Sequence, residues 1–146
     1  MQGRAEPDQT TPRGKAYGLV LQIARTQQSA FLSARIAQRV VSGVTVSALP
    51  NSRLGMALVT GQVIPVVALG ESTAGTAAEL VLCELWESVT SSVDPAPADG
   101  PTESVAISGV KVLASGAFER LDASHVEFGG QSVEALDLAQ LMDALE

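Results

Sequence analysis

The run Gly61-Gln62-Val63-Ile64-Pro65-Val66-Val67-Ala68-Leu69 constrains the fold of this chain more than any other feature. It opens on a glycine, continues as Val and Ile broken by one proline, and leaves through Gly70-Glu71-Ser72. A β-branched apolar run of that length reads as a buried strand rather than a helix. Proline cannot donate to a ladder, so Pro65 predicts an edge strand or a bulge.

The rest of the chain repeats this rhythm. Tyr17 to Ala24 alternates, with Leu19, Leu21 and Ile23 on one face, and Ser29 to Ser33 follows a turn at Arg25-Thr26-Gln27-Gln28, which predicts a hairpin. Ala34 to Val41 reads as a helical turn or a strand start, broken by Ser42-Gly43; Val44 and Val46 then alternate with polar residues up to Leu49-Pro50. Leu54 to Val59 and Gln62 to Leu69 form a hairpin across Thr60-Gly61. Gly70 to Thr76 reads as a polar, mobile loop. Ala77 to Trp86 fits either a helix face or a strand by composition. Asp94-Pro95-Ala96-Pro97-Ala98-Asp99-Gly100-Pro101 is a proline-rich connector. Ser104 to Ile107 and Val110 to Leu113 predict a hairpin over Ser108-Gly109, and Val126 to Phe128 with Ser132 to Leu136 another over Gly129-Gly130. Asp137 is placed to cap a helix in which Leu138, Leu141, Met142 and Leu145 recur at helical spacing. Many short strands at about ten-residue intervals with glycine turns predict an all-β barrel or sandwich.

Bulk properties set the limits. At 146 residues the chain is one domain or two very small intertwined ones, and it is long enough to bury about 68–70% of its unfolded surface. Residues 1–16 are polar, carry two prolines and read as a disordered tail ahead of a domain spanning 17–146. No apolar stretch reaches the ~20 residues of a membrane span, and the N-terminus has no apolar core of a secretory signal. Cys83 is alone, as in a protein kept in a reducing cytoplasm. A net charge of −7 argues against nucleic acid as a partner. Residues 1–70 carry seven Lys/Arg against two acids, and residues 71–146 two against fourteen. That asymmetry reads either as two oppositely charged faces or as an incidental partition of a soluble surface.

Reactive chemistry is sparse. One His and one Cys do not make a zinc site without an unusual carboxylate set. Cys83 sits in an apolar run where a thiol is inert. Gly70-Glu71-Ser72-Thr73-Ala74-Gly75 looks like a serine turn after a strand, but a nucleophile elbow needs glycine two residues after the serine, where Ala74 stands. No phosphate-cradling glycine loop with a lysine exists. The five aromatic residues, Tyr17, Phe31, Trp86, Phe118 and Phe128, are too few for base stacking and read as core filling. No catalytic, cofactor-binding or metal residue emerges, and the chain is read as a non-enzyme with no cofactor.

Beside these readings stands a resemblance. The glycine followed by V-I-P-V-V-x-L is similar to the signature of CheW-like domains, the coupling proteins of bacterial chemotaxis arrays. Upstream, Val44-Thr45-Val46-Ser47-Ala48-Leu49-Pro50 resembles the family's I-T-x-L-P, and Gly55 with Leu58-Val59-Thr60-Gly61 resembles its N-L-R-G segment. Downstream, Glu79 to Leu85 resembles the next sheet strand and Ser92-Val93-Asp94 the family's L-V-D. Gly129 to Leu138 resembles the closing strand, with Ala139 to Leu145 as a final helix. The matches run in family order over roughly residues 17–146.

The resemblance implies two small five-stranded SH3-like β-barrels sharing a core, with a short C-terminal helix, and it resolves Ala77 to Trp86 as a strand. It implies a cytoplasmic scaffold without catalytic groups, recruited to chemoreceptor arrays. Such a scaffold bridges the cytoplasmic tip of a methyl-accepting chemoreceptor, docked between the barrels, and a CheA-type histidine kinase regulatory domain or another CheW-like protein at a barrel end. On this resemblance the partner-binding residues are Arg39, Asn51, Arg53, Gly55, Thr60, Gly61 and Pro65. Three positions depart from the pattern: Thr60 stands where the family has Arg, Ala68 where it has Asp, and Arg39 where it often has Glu. Losing a five-donor guanidinium and reversing a rim charge alter partner choice. The resemblance therefore implies a divergent coupling protein with one interface altered, comparable with a second, non-equivalent coupling protein of the Frz-type system of gliding bacteria. The alternatives are an accessory that binds receptor but not kinase, and a small β-barrel interaction module of another pathway.

Overall fold

The computed structural model describes residues 14–48, 54–69, 75–77 and 79–145. Twelve strands and one helix follow in order among them: β1 (Lys15–Ile23), β2 (Ser29–Ser33), β3 (Ala37–Val41), β4 (Val44–Ala48), β5 (Leu54–Val59), β6 (Gln62–Ala68), β7 (Gly75–Ala77), β8 (Leu80–Leu85), β9 (Glu103–Ser108), β10 (Val110–Asp122), β11 (His125–Phe128), β12 (Gln131–Glu134) and α1 (Leu138–Leu145). They form a five-stranded sheet of order β12-β11-β10-β1-β2 and a seven-stranded sheet of order β3-β8-β9-β6-β5-β4-β7. The fold is thus mainly β: two small curled sheets of the SH3-like barrel kind sharing a core.

Connectivity forces the curling. In the first sheet the edge strand β2 meets the chain leaving β12: Phe31 bridges Ala135, and the Leu136 N–H donates to the Phe31 carbonyl at 2.8 Å. In the second, β3 and β4 lie far apart in strand order yet only Ser42-Gly43 separates them. Three Cα steps span at most about 11 Å, so the sheet must roll until those strands approach. Gly43 supplies the turn with a φ of 67°.

The apolar side chains sort into three cores. Val20, Phe31, Phe118 and Val126 fill the first barrel, where Phe118 stands edge-on to Phe31 at 5.8 Å and to Phe128 at 6.1 Å. Val46, Val59, Ile64, Val66, Leu80 and Ala106 fill the second. Leu21, Leu32, Val67, Val81, Val105 and Ile107 join the two, with Leu138 and Leu141 of α1 packed in. Strands with one face in a barrel and the other in the shared core must be apolar at successive positions. That explains the unbroken run at Ile64 to Val67: Ile64 and Val66 point into the second barrel, Val67 into the shared core. The same logic makes Leu80 to Leu85 a strand although its composition suits a helix.

The chain passes between sheets through residues 34–36 and again at Gly109, whose φ is 77°. The buried polar residues Ser33 and Ser108 mark these crossings. The Ser33 hydroxyl accepts the Arg35 N–H at 3.1 Å, and the Ser108 carbonyl accepts the Leu69 N–H at 2.9 Å. A further tie crosses the interface: Glu79, just before β8, accepts the Val112 N–H at 2.6 Å beside a bulge at Leu113 in β10. Asp137 caps α1 through Ala139 N–H at 3.0 Å, as its position predicts, and Ser91 accepts the Leu138 N–H at 2.9 Å.

Several expectations are corrected. The predicted hairpin over Ser108-Gly109 does not form, because β9 pairs with β6 and β8 in one sheet and β10 with β1 and β11 in the other. Local periodicity does not distinguish a hairpin from a crossing. Pro65 is not on an edge strand: β6 lies between β5 and β9. The β9 ladder begins only at Val66, so the missing N–H falls where no partner strand is paired. Part of the predicted 70–76 loop, Gly75 and Thr76, belongs to β7, which pairs with β4; residues 70–74 lie outside the described residues. β1 begins at Lys15, two residues before the alternation predicts. Tyr17 is no core filler but 64% exposed. Both sheets hold strands from the two charge-biased halves: β12, β11 and β10 stand beside β1 and β2 in the first, and β8, β9 and β7 are set among β3, β6, β5 and β4 in the second. Of the predicted helix positions, the Met142 and Leu145 side chains lie outside the described residues, as does Leu49-Pro50.

Candidate functional site

Gly61 and Thr60 make the tip of the β5–β6 hairpin with φ values of 80° and 48°. Positive φ at both central residues is the type I′ turn that matches strand twist, a turn that prefers Asn-Gly. Threonine is a β-branched residue in the left-handed region, so the tip is strained. Thr60→Asn is expected to raise stability by about 1 kcal/mol, measured as a shift of the urea midpoint with unchanged slope.

The turn fixes the register: Val59 pairs with Gln62, Leu58 with Val63, Met56 with Pro65. Leu58 and Val63 therefore share a face with Met56, Pro65 and Val67. Val67 is sealed in the shared core, whereas Leu58 is 65% and Val63 59% exposed. The outer face of the hairpin thus carries apolar surface out of the shared core to the tip. Residues 54–69 contain no charged residue.

The structure brings Gly55, Thr60, Gly61 and Pro65 together on this hairpin. Gly55 is buried between Ala48 and Val66, where it serves the backbone rather than contact. Arg39 lies on the edge strand β3, exposed and without an ion pair among the described residues. A cross-strand row runs Arg39, Leu82, Ala106, Val66, Gly55, which sets Arg39 about 19 Å from Gly55 along the sheet at about 4.8 Å per strand. Asn51 and Arg53 lie outside the described residues. Sequence reasoning did not single out Leu58 or Val63. The signal was present: a two-residue turn at Thr60-Gly61 fixes their pairing, and counting from it puts both on the face of Pro65.

Asp122, Ser124 and His125 look like a catalytic set, but Asp122 Oδ1 (2.8 Å) and Ser124 Oγ (3.1 Å) both approach His125 Nδ1. A relay needs the carboxylate on one ring nitrogen and the hydroxyl on the other. The Asp122 carboxyl is held below its usual range by the Ser124 N–H and then by His125, as in a tight turn. No group of three or more His, Cys, Asp or Glu able to hold a metal occurs among the described residues. Ser72 of the serine turn lies outside them. Burial pushes the Cys83 thiol up to about 12, so it is expected to resist Ellman's reagent at pH 8 in the native state and to react fully in denaturant.

No family model matches the chain. No curated protein matches it. Among solved structures it is similar to the crystal structure of scaffolding protein TtCheW from Thermoanaerobacter tengcongensis, at 12% identity and a TM-score of 0.47, over 84% of this chain and 91% of that chain. No helix among the described residues is long and apolar enough to cross a membrane.

Proposed function

We propose that the chain is a non-catalytic adaptor of the CheW-like kind, working at cytoplasmic chemoreceptor arrays. The observation that carries this reading is the uncharged apolar outer face of the β5–β6 hairpin, exposed at Leu58 and Val63 beside Thr60 and Gly61. Apolar surface that continues out of a core without charged residues is what a docking partner covers. The family motifs read in the sequence supply the partner: the cytoplasmic tip of a methyl-accepting chemoreceptor, docked on the hairpin residues Thr60, Gly61 and Pro65 with Gly55 shaping the backbone beneath, and with Arg39, Asn51 and Arg53 as further contacts.

Thr60 and Ala68 favour the accessory form, which holds receptor without recruiting a CheA-type kinase. Where the family motif carries Arg and Asp, this hairpin offers no charge at all. A kinase regulatory domain or another CheW-like protein at a barrel end is the second partner in the ordinary coupling form. Arg39 is the test of the charged side of the site. Arg39→Glu is expected to change receptor-tip affinity by about fivefold with an unchanged melting temperature. An unchanged affinity for both receptor and kinase would remove Arg39 from the site.

A further inference from the structure

A second feature sits at the hairpin end of the second barrel. β6 and β9 run parallel, so the start of β9 at Glu103 lies toward the same end of the sheet as the β5–β6 turn. Glu103 pairs with Leu85. Leu85, Trp86, Pro101 and Thr102 form the walls and floor of a cleft of about 350 Å³, with Glu87 and Glu103 beside it. Leu85 and Trp86 are buried beneath, while both glutamates are exposed.

The two glutamates are not used internally. Neither carboxylate makes a hydrogen bond or an ion pair among the described residues, whereas that of the neighbouring Glu84 is committed to the hydroxyls of Thr102 and Ser104. No Lys, Arg or His occurs between Arg53 and Lys111, a stretch that carries seven acids. Two uncompensated carboxylates over an indole and aliphatic floor complement one kind of side chain. That side chain has a long apolar stem to lie on Trp86 and Pro101 and a cationic head to sit between the acids.

We infer that this cleft takes a basic side chain, arginine or lysine, from a partner protein segment that passes over the β5–β6 hairpin. The inference deepens the docking reading above and rests on it for the partner being a protein. It adds a requirement to that partner: an apolar contact for Leu58 and Val63, and a positive charge next to it.

Trp86 is the chain's one tryptophan, so its indole N–H gives a single nitrogen-15 resonance that reports on the cleft. The full chain is titrated with N-acetyl-arginine amide and with N-acetyl-citrulline amide, which has nearly the same shape without the charge. The expected result is a saturable shift of the indole resonance, at least about fivefold tighter for arginine than for citrulline. The Glu87→Gln/Glu103→Gln variant is expected to bring arginine down to the citrulline level. A Glu134→Gln/Asp143→Asn variant, which removes two carboxylates elsewhere, is expected to keep the arginine response. Equal responses to the two compounds, or equal losses in the two variants, would overturn the inference. Leu58→Asp leaves the arginine response unchanged if the cleft acts as inferred, and failure of the hairpin reading shows up separately, as affinity for the partner that this variant retains.

Discussion

Leu58→Asp is expected to weaken binding of the chemoreceptor tip by about thirtyfold or more, while the domain stays folded. Leu58 is 65% exposed and pairs with Val63, itself 59% exposed, so neither contributes to a barrel core. The loss of folding stability is therefore limited to β-propensity, within about 1 kcal/mol. In a complex the same position is covered, and a carboxylate there has no cation on the hairpin to meet it, because residues 54–69 carry none. Burying an unpaired charge is costly. Isothermal titration checks affinity and circular dichroism checks folding. A variant that binds as the parent does would move the docking surface elsewhere on the molecule.

Gly18→Ala is expected to destabilise the fold by about 3 kcal/mol or more. Gly18 lies in β1 between Ser33 of β2 and Gly116 of β10. A Cβ built there would stand 2.2 Å from the Leu32 carbonyl oxygen and 2.9 Å from Phe31 Cζ. The first neighbour is backbone held in the β1–β2 ladder, and the second belongs to the edge-on aromatic stack with Phe118. Neither moves without opening the first barrel. Urea unfolding followed by circular dichroism measures the change. A shift under 1 kcal/mol would mean that β1 and β2 separate more easily than their register implies.

Much of this fold is legible in the residues. The hairpins at Arg25 to Gln28, Thr60-Gly61 and Gly129-Gly130 follow from turn chemistry, and the start of α1 follows from Asp137 with its apolar repeat. What local reading misses is which sheet a strand joins. Val105 and Ile107 alternate as hairpin residues do, yet they face the shared core from the second barrel, while Val110 begins a strand of the first. Gly109 turns the chain between sheets as readily as it would turn a hairpin. Pro65 signals an edge or a bulge in the sequence, and physically the signal is a local one: it needs only that no ladder partner face its nitrogen, which the late start of β9 provides.

The candidate site was partly legible for the same reason. Gly55, Thr60, Gly61 and Pro65 group because a single turn joins them, whereas Arg39 is connected to that hairpin only through the pairing of β3 with β8, β9 and β6. Leu58 and Val63 look like core residues in a sequence, being apolar in an apolar run. Their exposure depends on where the first barrel stops covering the second, a tertiary fact. Trp86 with Glu87 and Glu103 is joined only by the pairing of β8 with β9 across the proline-rich connector.

The adaptor reading is tested most directly by a paired titration of the purified protein. One partner is a chemoreceptor cytoplasmic tip from the same organism, and the other a CheA-type kinase regulatory domain. The account predicts saturable binding to the receptor tip, lost in Leu58→Asp, with no binding to the kinase domain. Binding to neither partner would contradict it.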